Sequence, residues 1–207
     1  MSARYGMFID RERCIGCHAC AVACKTENQP PAGKSFMNVK TIGGAHCDTP
    51  AGTYPNVSMR WEPTLCMHCE NAPCLNVCPP NALYRRPDGI VVLNEDECLG
   101  AGCKRCTYVC PYGVIEFNAA EGVMQKCNFC TQRVDAGRNT ACADACVYEA
   151  IFFGDLNDPG SAVSRALARA GDHTEVLKAD HGTQPAVFYS ALLTGDAGEN
   201  WLLKNGP

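Results

Sequence analysis

Apolar positions along this chain come in short bursts rather than long stripes. YGMFID (Tyr5 to Asp10) reads as a short strand, and the alanines and valine between Cys20 and Cys24 suit a short helix. Ile90 to Leu93 reads as the second arm of a hairpin in ALYRRPDGIVVLN. Its turn falls at Asp88-Gly89, a pair that tolerates the left-handed backbone of tight turns. YGVIEFNAAEGVMQK repeats the idea, turning near Glu121-Gly122. The recurring unit is strand, cysteine run, short helix, strand, an internal duplication.

Between these units the periodicity is lost. Residues 26–60 are rich in Pro, Gly, Asn and Thr, and predict a long ordered loop or insertion. Helical spacing returns at Val163, Ala166, Leu167 and Ala170, after an Asp158-Pro159 start, as expected of a core-packing stripe. The last thirty residues predict an extended tail lying against the rest of the chain or a partner. No apolar run nears the roughly 20 residues of a membrane helix, and the longest, Pro185 to Leu193, is too short. The start, MSARYGMFIDRERC, has neither an apolar signal region nor a twin-arginine motif, so the chain is expected to be soluble by itself.

Cysteine content changes the picture. The chain has 207 residues, enough for one large or two small domains, and 17 cysteines. A disulfide framework fits poorly, because the number is odd, the chain is long and the cysteines sit in tight runs. Sixteen fall into four runs of four. Cys47 is left over and reads as a non-ligand thiol, with an ordinary His46 beside it.

The stretch from Cys66 to Pro111 organises the rest. CMHCENAPCLNVCP supplies Cys66, Cys69, Cys74 and Cys78; CLGAGCKRCTYVCP supplies Cys98, Cys103, Cys106 and Cys110. Thiolates are soft ligands suited to iron–sulfur clusters. In the two-cluster ferredoxin pattern three close cysteines hold one cluster and the fourth reaches to its neighbour. The expected [4Fe–4S] sites are therefore Cys66, Cys69, Cys74 with Cys110, and Cys98, Cys103, Cys106 with Cys78. The proline after each fourth cysteine fixes its own φ and turns the chain away. A zinc reading, with two CxxC pairs per tetrahedral site, leaves the third cysteine and the Cys-Pro unexplained.

The first run, Cys14, Cys17, Cys20 and Cys24, has the bacterial ferredoxin spacing, with Lys25 in place of the proline. The fourth, Cys127, Cys130, Cys142 and Cys146, has eleven residues between its middle pair and Val147 at its end. By spacing alone it is also a plausible zinc site. As the missing partner of the first run it completes two more clusters: Cys14, Cys17, Cys20 with Cys146, and Cys127, Cys130, Cys142 with Cys24. The fold class expected is α+β, two ferredoxin-type modules with one inserted in the other. The outer module takes 1–60 and 119–155, with its loop insertion at 26–60; the inner takes 61–118; a helix and tail occupy 156–207. His18 and His68, each inside a CxxC-type turn, are candidates to tune cluster potentials.

The formal charge of −4 counts every cysteine as neutral. Four ligated clusters would add about −8, which argues against a nucleic-acid partner.

These residues resemble the four-cluster iron–sulfur subunits of molybdenum enzymes of the dimethyl-sulfoxide-reductase type. The resemblance runs through CIGCHACAVACK, CMHCENAPCLNVCP, the CPYG from Cys110, QKCNFC ending at Cys130 and GDLNDPGSAVSRAL. It implies a non-catalytic electron-transfer subunit whose large partner holds molybdenum or tungsten on two pyranopterin guanine dinucleotides. It also implies an outer module facing that partner, and a membrane anchor or soluble carrier as the second partner. GTYP (Gly52 to Pro55), PTLCMHCENAPC and YRRPDGIV are similar to the small subunit of pyrogallol–phloroglucinol transhydroxylase, which suggests a phenolic substrate. That family member is expected to lack one inner cluster, whereas Cys78, Cys98, Cys103 and Cys106 are all present here. Four residues rather than two separate Cys98 from Cys103, a wider loop that Gly100 and Gly102 accommodate. The alternatives are a subunit of a respiratory reductase of sulfur or arsenic compounds, and a free-standing polyferredoxin. The compartment stays open between cytoplasm and export together with the catalytic partner.

Overall fold

A computed structural model describes residues 2–43 and 48–192. In chain order it contains β1 (Tyr5–Ile9), α1 (Ala19–Asn28), β2 (Asn38–Thr41), β3 (Ala51–Thr53), β4 (Asn56–Ser58) and β5 (Trp61–Thr64). Next come α2 (Pro73–Asn76), β6 (Leu83–Arg85), β7 (Val91–Leu93), α3 (Arg105–Val109), β8 (Glu116–Asn118) and β9 (Val123–Gln125). The chain continues through α4 (Thr131–Val134), α5 (Ala141–Asp144), β10 (Ile151–Asp155), α6 (Ala162–Ala170), β11 (Thr174–Glu175) and β12 (Val187–Ser190). Short helices and mostly antiparallel pairs make this an α+β fold.

The first strand is the centre of the largest sheet, ordered β10-β1-β12-β11. β10 pairs with β1 antiparallel, Ile151 opposite Ile9, while β12 pairs with it in parallel, Val187 opposite Met7. Successive side chains of a strand point to opposite faces, so a strand covered on both faces must be apolar throughout. Met7 and Ile9 join the core that contains Cys20, Cys66, Cys74 and Cys127. Phe8 points the other way, onto Val163, Ala166 and Ala170 of α6. That helix is set by Ser161, whose hydroxyl accepts the Ser164 N–H at 3.1 Å, a standard N-cap arrangement.

Arg11, just past β1, is buried and fastens the sheet's end. Its guanidinium reaches Glu62 at 2.9 Å, and Glu175 and the Ser190 carbonyl as well. A buried cation is tolerated when its donors are used this fully. Tyr189 is buried too, and its hydroxyl donates to the Pro63 carbonyl at 2.9 Å.

Both expected hairpins form, β6-β7 around a left-handed Gly89 and β8-β9 around a left-handed Gly122. The helices pack in two couples, α1 on α5 and α2 on α3.

One expectation needs correction. Residues 26–60 are not simply a loop: β2 pairs with β5 across some twenty residues, and β3 and β4 form their own hairpin. Strands of three or four residues, exposed along much of their length, leave no alternation to read. Within the last thirty residues, expected to lie extended against the rest of the chain or a partner, β12 does lie extended against β1, and with β11 it completes the main sheet. A strand of four residues pairing in parallel with one 180 positions earlier carries no local signal.

Replacing Ile9 by alanine is expected to cost about 2–5 kcal/mol, as for other buried aliphatic truncations. The thermal unfolding midpoint of the anaerobically purified chain should fall, and an unchanged midpoint would show that this face of β1 is not core.

Candidate metal centres

Three of the four cysteine runs begin with a loop that curls back on itself. In CIGC, CMHC and CNFC the residue before the second cysteine is left-handed: Gly16 (φ 69°), His68 (φ 44°) and Phe129 (φ 55°). Only glycine adopts this conformation freely; for His68 and Phe129 it carries a cost of about 1–2 kcal/mol. A reversal there turns the preceding cysteine and the following one toward the same interior point.

Four sets of sulfurs result. Cys66, Cys69, Cys74 and Cys110 line one cavity with Val91, Val114 and Ile115. Cys78, Cys98, Cys103 and Cys106 line a second with Leu83, Leu93 and Met124. Cys14, Cys17, Cys20 and Cys146 line a third with Val39, Pro63 and Ile151. Cys24, Cys127, Cys130 and Cys142 lie close enough that their charges act on one another. Here the Asn28 amide sits 3.7 Å from Cys24 Sγ and 3.5 Å from Cys130 Sγ. Thus Cys98, despite its widened loop, lies in the same cavity as Cys78, Cys103 and Cys106. Its Sγ accepts N–H groups from Gly100 at 3.4 Å and Met124 at 3.5 Å. Cys47 and His46 lie outside the described residues.

Electrostatics define what these sites require. Burial, reinforced by neighbouring sulfurs, pushes the thiols of Cys20, Cys24, Cys74 and Cys142 up to about 12. Cys127 rises well above the ordinary thiol value for the same reason, with Cys24, Cys66 and Cys142 adding to burial. Ionised sulfurs in such sets need cations among them. Among the described residues, no three His, Cys, Asp or Glu side chains converge tightly enough to hold one metal ion. Sulfurs spread around a cavity, with backbone N–H groups directed at them, fit a larger polynuclear core. Further such donors are Phe129 to Cys127 (3.4 Å) and Ala150 to Cys146 (3.2 Å).

The sets are also neighbours of one another. The Cys20 sulfur acts on Cys142, and that of Cys66 acts on Cys127. The His68 and Phe129 rings stack between the CMHC and CNFC loops, centroids 3.6 Å apart. His68 Nδ1 accepts the Val91 N–H at 3.0 Å, which places the imidazole proton on Nε2. That nitrogen is buried and has no protein partner among the described residues. Burial, then Lys126 and Arg85, hold its pKa well below the usual imidazole value. His18, by contrast, is partly exposed and lies 3.7 Å from Asp48.

Lys126 escaped the sequence reading. It is buried, and its ammonium donates to the carbonyls of Val91 and of Cys127. The charge acts on Cys74, lowering its thiol's pKa against burial. Its place beside Cys127 was the only hint, since lysines flanking cysteine runs are ordinarily solvated.

The rims differ from the interior. Cys17 is exposed, as are Ile15 close to it in sequence and Val147 and Tyr148, which follow Cys146 of the same cavity. At the cavity of Cys98 the exposed apolar residue is Leu99, and Tyr108 projects from α3.

Comparison with known proteins agrees with this chemistry. Residues 57–156 match the 4Fe-4S dicluster domain model, and residues 5–26 match a 4Fe-4S binding domain model. A Halobacterium salinarum protein, named provisionally as an iron–sulfur subunit of dimethyl sulfoxide reductase, is 43% identical over 89% of this chain and 78% of its own length. A tetrathionate reductase subunit of Salmonella typhimurium is 41% identical, over 91% of this chain and 73% of its own. The arsenate respiratory reductase iron–sulfur subunit of a Shewanella species is 37% identical, over 90% and 95%. The chain belongs to the family of [4Fe–4S] electron-transfer subunits of dimethyl-sulfoxide-reductase-type oxidoreductases.

Proposed function

We propose that the chain holds four [4Fe–4S] clusters and carries electrons between a molybdenum or tungsten bis-pyranopterin catalytic subunit and an external carrier. The observation that carries this reading is the gathering of sixteen cysteines into four sets, each drawn from two runs. Three residues of one run and one of its partner hold each cluster: Cys14, Cys17, Cys20, Cys146; Cys127, Cys130, Cys142, Cys24; Cys66, Cys69, Cys74, Cys110; and Cys98, Cys103, Cys106, Cys78. Such clusters supply one-electron chemistry at potentials set by charge, hydrogen bonds and exposure. The polypeptide supplies thiolates, backbone donors, a buried lysine and exclusion of water.

The nested-module reading, outer 1–60 with 119–155 and inner 61–118, draws support from the helix couples. α1 and α5 come from the first and fourth runs, α2 and α3 from the second and third. Proximities Cys20 to Cys142 and Cys66 to Cys127, with the α2–α3 couple, support an arrangement of the sets in a row. One end has the exposed Cys17, and the other the cavity of Cys98. We assign the first end to the catalytic partner and the second to a soluble carrier or a membrane anchor; among the described residues no helix is long and apolar enough to cross a membrane. The compartment is assigned to the cytoplasm, or to wherever the catalytic partner carries the pair. For the partner's substrate, the relatives named for dimethyl sulfoxide, tetrathionate and arsenate favour a sulfur or arsenic compound. None of these three names carries the phenolic expectation.

Iron analysis of anaerobically purified chain tests the assignment, with about sixteen irons expected. Twelve or fewer, with the remaining site empty by structure, would reduce the cluster number.

The widened loop makes a sharper test. Gly100 is left-handed at φ 55°, and a Cβ there would stand 1.8 Å from the Gly122 carbonyl oxygen. Gly100→Ala should displace the loop from the β8-β9 turn and release about one cluster's iron, leaving the rest bound. Full iron content in this variant would show that Cys98 needs no such support.

Electron exit is tested by Cys106→Ser in the complete complex. Turnover with the external carrier should fall while the catalytic partner keeps its own cofactor. If the cluster is lost and carrier-linked turnover is unchanged, electrons leave elsewhere.

A further inference from the structure

One side-chain amide sits among the sulfurs of the quartet Cys24, Cys127, Cys130 and Cys142. Asn28 closes α1 four residues beyond Cys24, and that spacing puts both side chains on one face of the helix. Its Nδ2 lies 3.2 Å from the Cys24 carbonyl, 3.5 Å from Cys130 Sγ and 3.7 Å from Cys24 Sγ. Cys130 is 102 positions further along the chain, where it precedes α4 with a left-handed backbone (φ 51°). The amide thus joins the two runs that share this quartet, without being a ligand.

Its orientation follows from its neighbours. The Asn28 oxygen accepts the Gln132 side-chain N–H at 3.3 Å. Turned over, that oxygen would face a carbonyl and two sulfurs, acceptors all, and the NH2 would face a donor. Gln132 is itself held: its other proton goes to Glu27 Oε1 at 3.0 Å, and Arg133 donates to Glu27 Oε2 at 3.1 Å. Asn28 then has two protons for three acceptors. The Cys24 carbonyl is nearest and takes one. The other is left for sulfur, and Cys130 Sγ is the nearer of the two. The donors onto Cys98, Cys127 and Cys146 described above are backbone N–H groups. This one belongs to a side chain and can be removed with the backbone in place.

We propose that Asn28 is a redox-positioning residue, whose amide donates to Cys130 Sγ and raises the potential of the cluster on Cys127, Cys130, Cys142 and Cys24. The inference rests on that cluster assignment. The cluster takes one electron from a neighbour in the row and passes one on, with no bond made or broken. A donor on a ligating sulfur withdraws electron density from the iron and stabilises the reduced, more negative cluster more than the oxidised one. Gln132 acts through Asn28, by keeping its NH2 turned to the sulfurs.

The test is a redox titration followed by electron paramagnetic resonance on the anaerobically purified holoprotein, with iron analysis alongside. The signal is assigned by its loss in Cys142→Ala. Asn28→Leu keeps the shape and removes both protons. That midpoint should move to lower potential, so that several-fold less of the cluster is reduced at the wild-type midpoint, with iron content and the other midpoints unchanged. Asn28→Ser separates the two contacts: its hydroxyl can still bond the Cys24 carbonyl one turn back but is too short to reach Cys130. It should lower the midpoint as far as Asn28→Leu does. Asn28→Leu with full iron and unchanged midpoints overturns the proposal, as does a wild-type midpoint in Asn28→Ser, which would leave Asn28 only its place at the helix end. If Asn28→Leu loses iron, Asn28→Ser alone decides, by the same criterion. A wild-type chain without a Cys142-dependent signal refutes the cluster assignment, and the proposal with it.

Discussion

Like charges brought together without water are the constraint on which this structure depends. Two thiolates about 6 Å apart at an effective dielectric near 20 repel by about 3 kcal/mol, and a complete quartet by some 15 kcal/mol. That equals or exceeds the whole stability of an ordinary domain. The polypeptide answers with backbone N–H groups at Cys98, Cys127 and Cys146, the Asn28 amide and a buried lysine. These reduce the repulsion but cannot cancel it. Folded quartets and bound iron are thus two aspects of one equilibrium.

The scaffold follows from holding such quartets rigidly. Tight loops need residues in the left-handed region, and two of these, His68 and Phe129, are bulky. Their stacked rings fill the space between two quartets and offset conformational strain with packing. Behind the loops, the main sheet presents Met7 and Ile9 as a fixed wall, while α6 closes its outer face. Arg11 ties three strands at one corner of this wall.

What could be read in the sequence was what repeats or lies close together. In the first three runs three cysteines within a dozen residues share one loop, so their grouping was read from spacing; the fourth run was grouped as the partner of the first, and the exchange of the fourth cysteine was read from the ferredoxin pattern. Asp88-Gly89 and Glu121-Gly122 marked their turns because the backbone there admits few other residues. By contrast, β2 and β5 are short and depend on each other, so neither declares itself alone. Thr183 reaches Tyr112 only after the chain has travelled through a helix and a strand. Nothing near it in sequence distinguishes it from a surface threonine. His68 was noticed for its position, yet its burial against Phe129 is a tertiary fact.

The parallel pairing of β12 with β1 bears on how the protein matures. Synthesis proceeds from the N-terminus, so β1 emerges before either of its neighbours. Its antiparallel neighbour follows only with Ile151, and its parallel neighbour only with Val187. Until Ile151 has been made, therefore, Met7, Phe8 and Ile9 stand as an apolar strand with both edges unmatched, and until Val187 one edge stays so. Until residues 183–186 have been made, the CMHC loop also lacks the carbonyls of Thr183 and Gln184 that accept its Asn71 and Glu70 N–H groups. Iron–sulfur insertion before that moment meets an open vestibule, whereas insertion afterwards must reopen a closed one. The placement of one late strand thereby makes the sequence of biogenesis, as much as the final contacts, a property encoded in the fold.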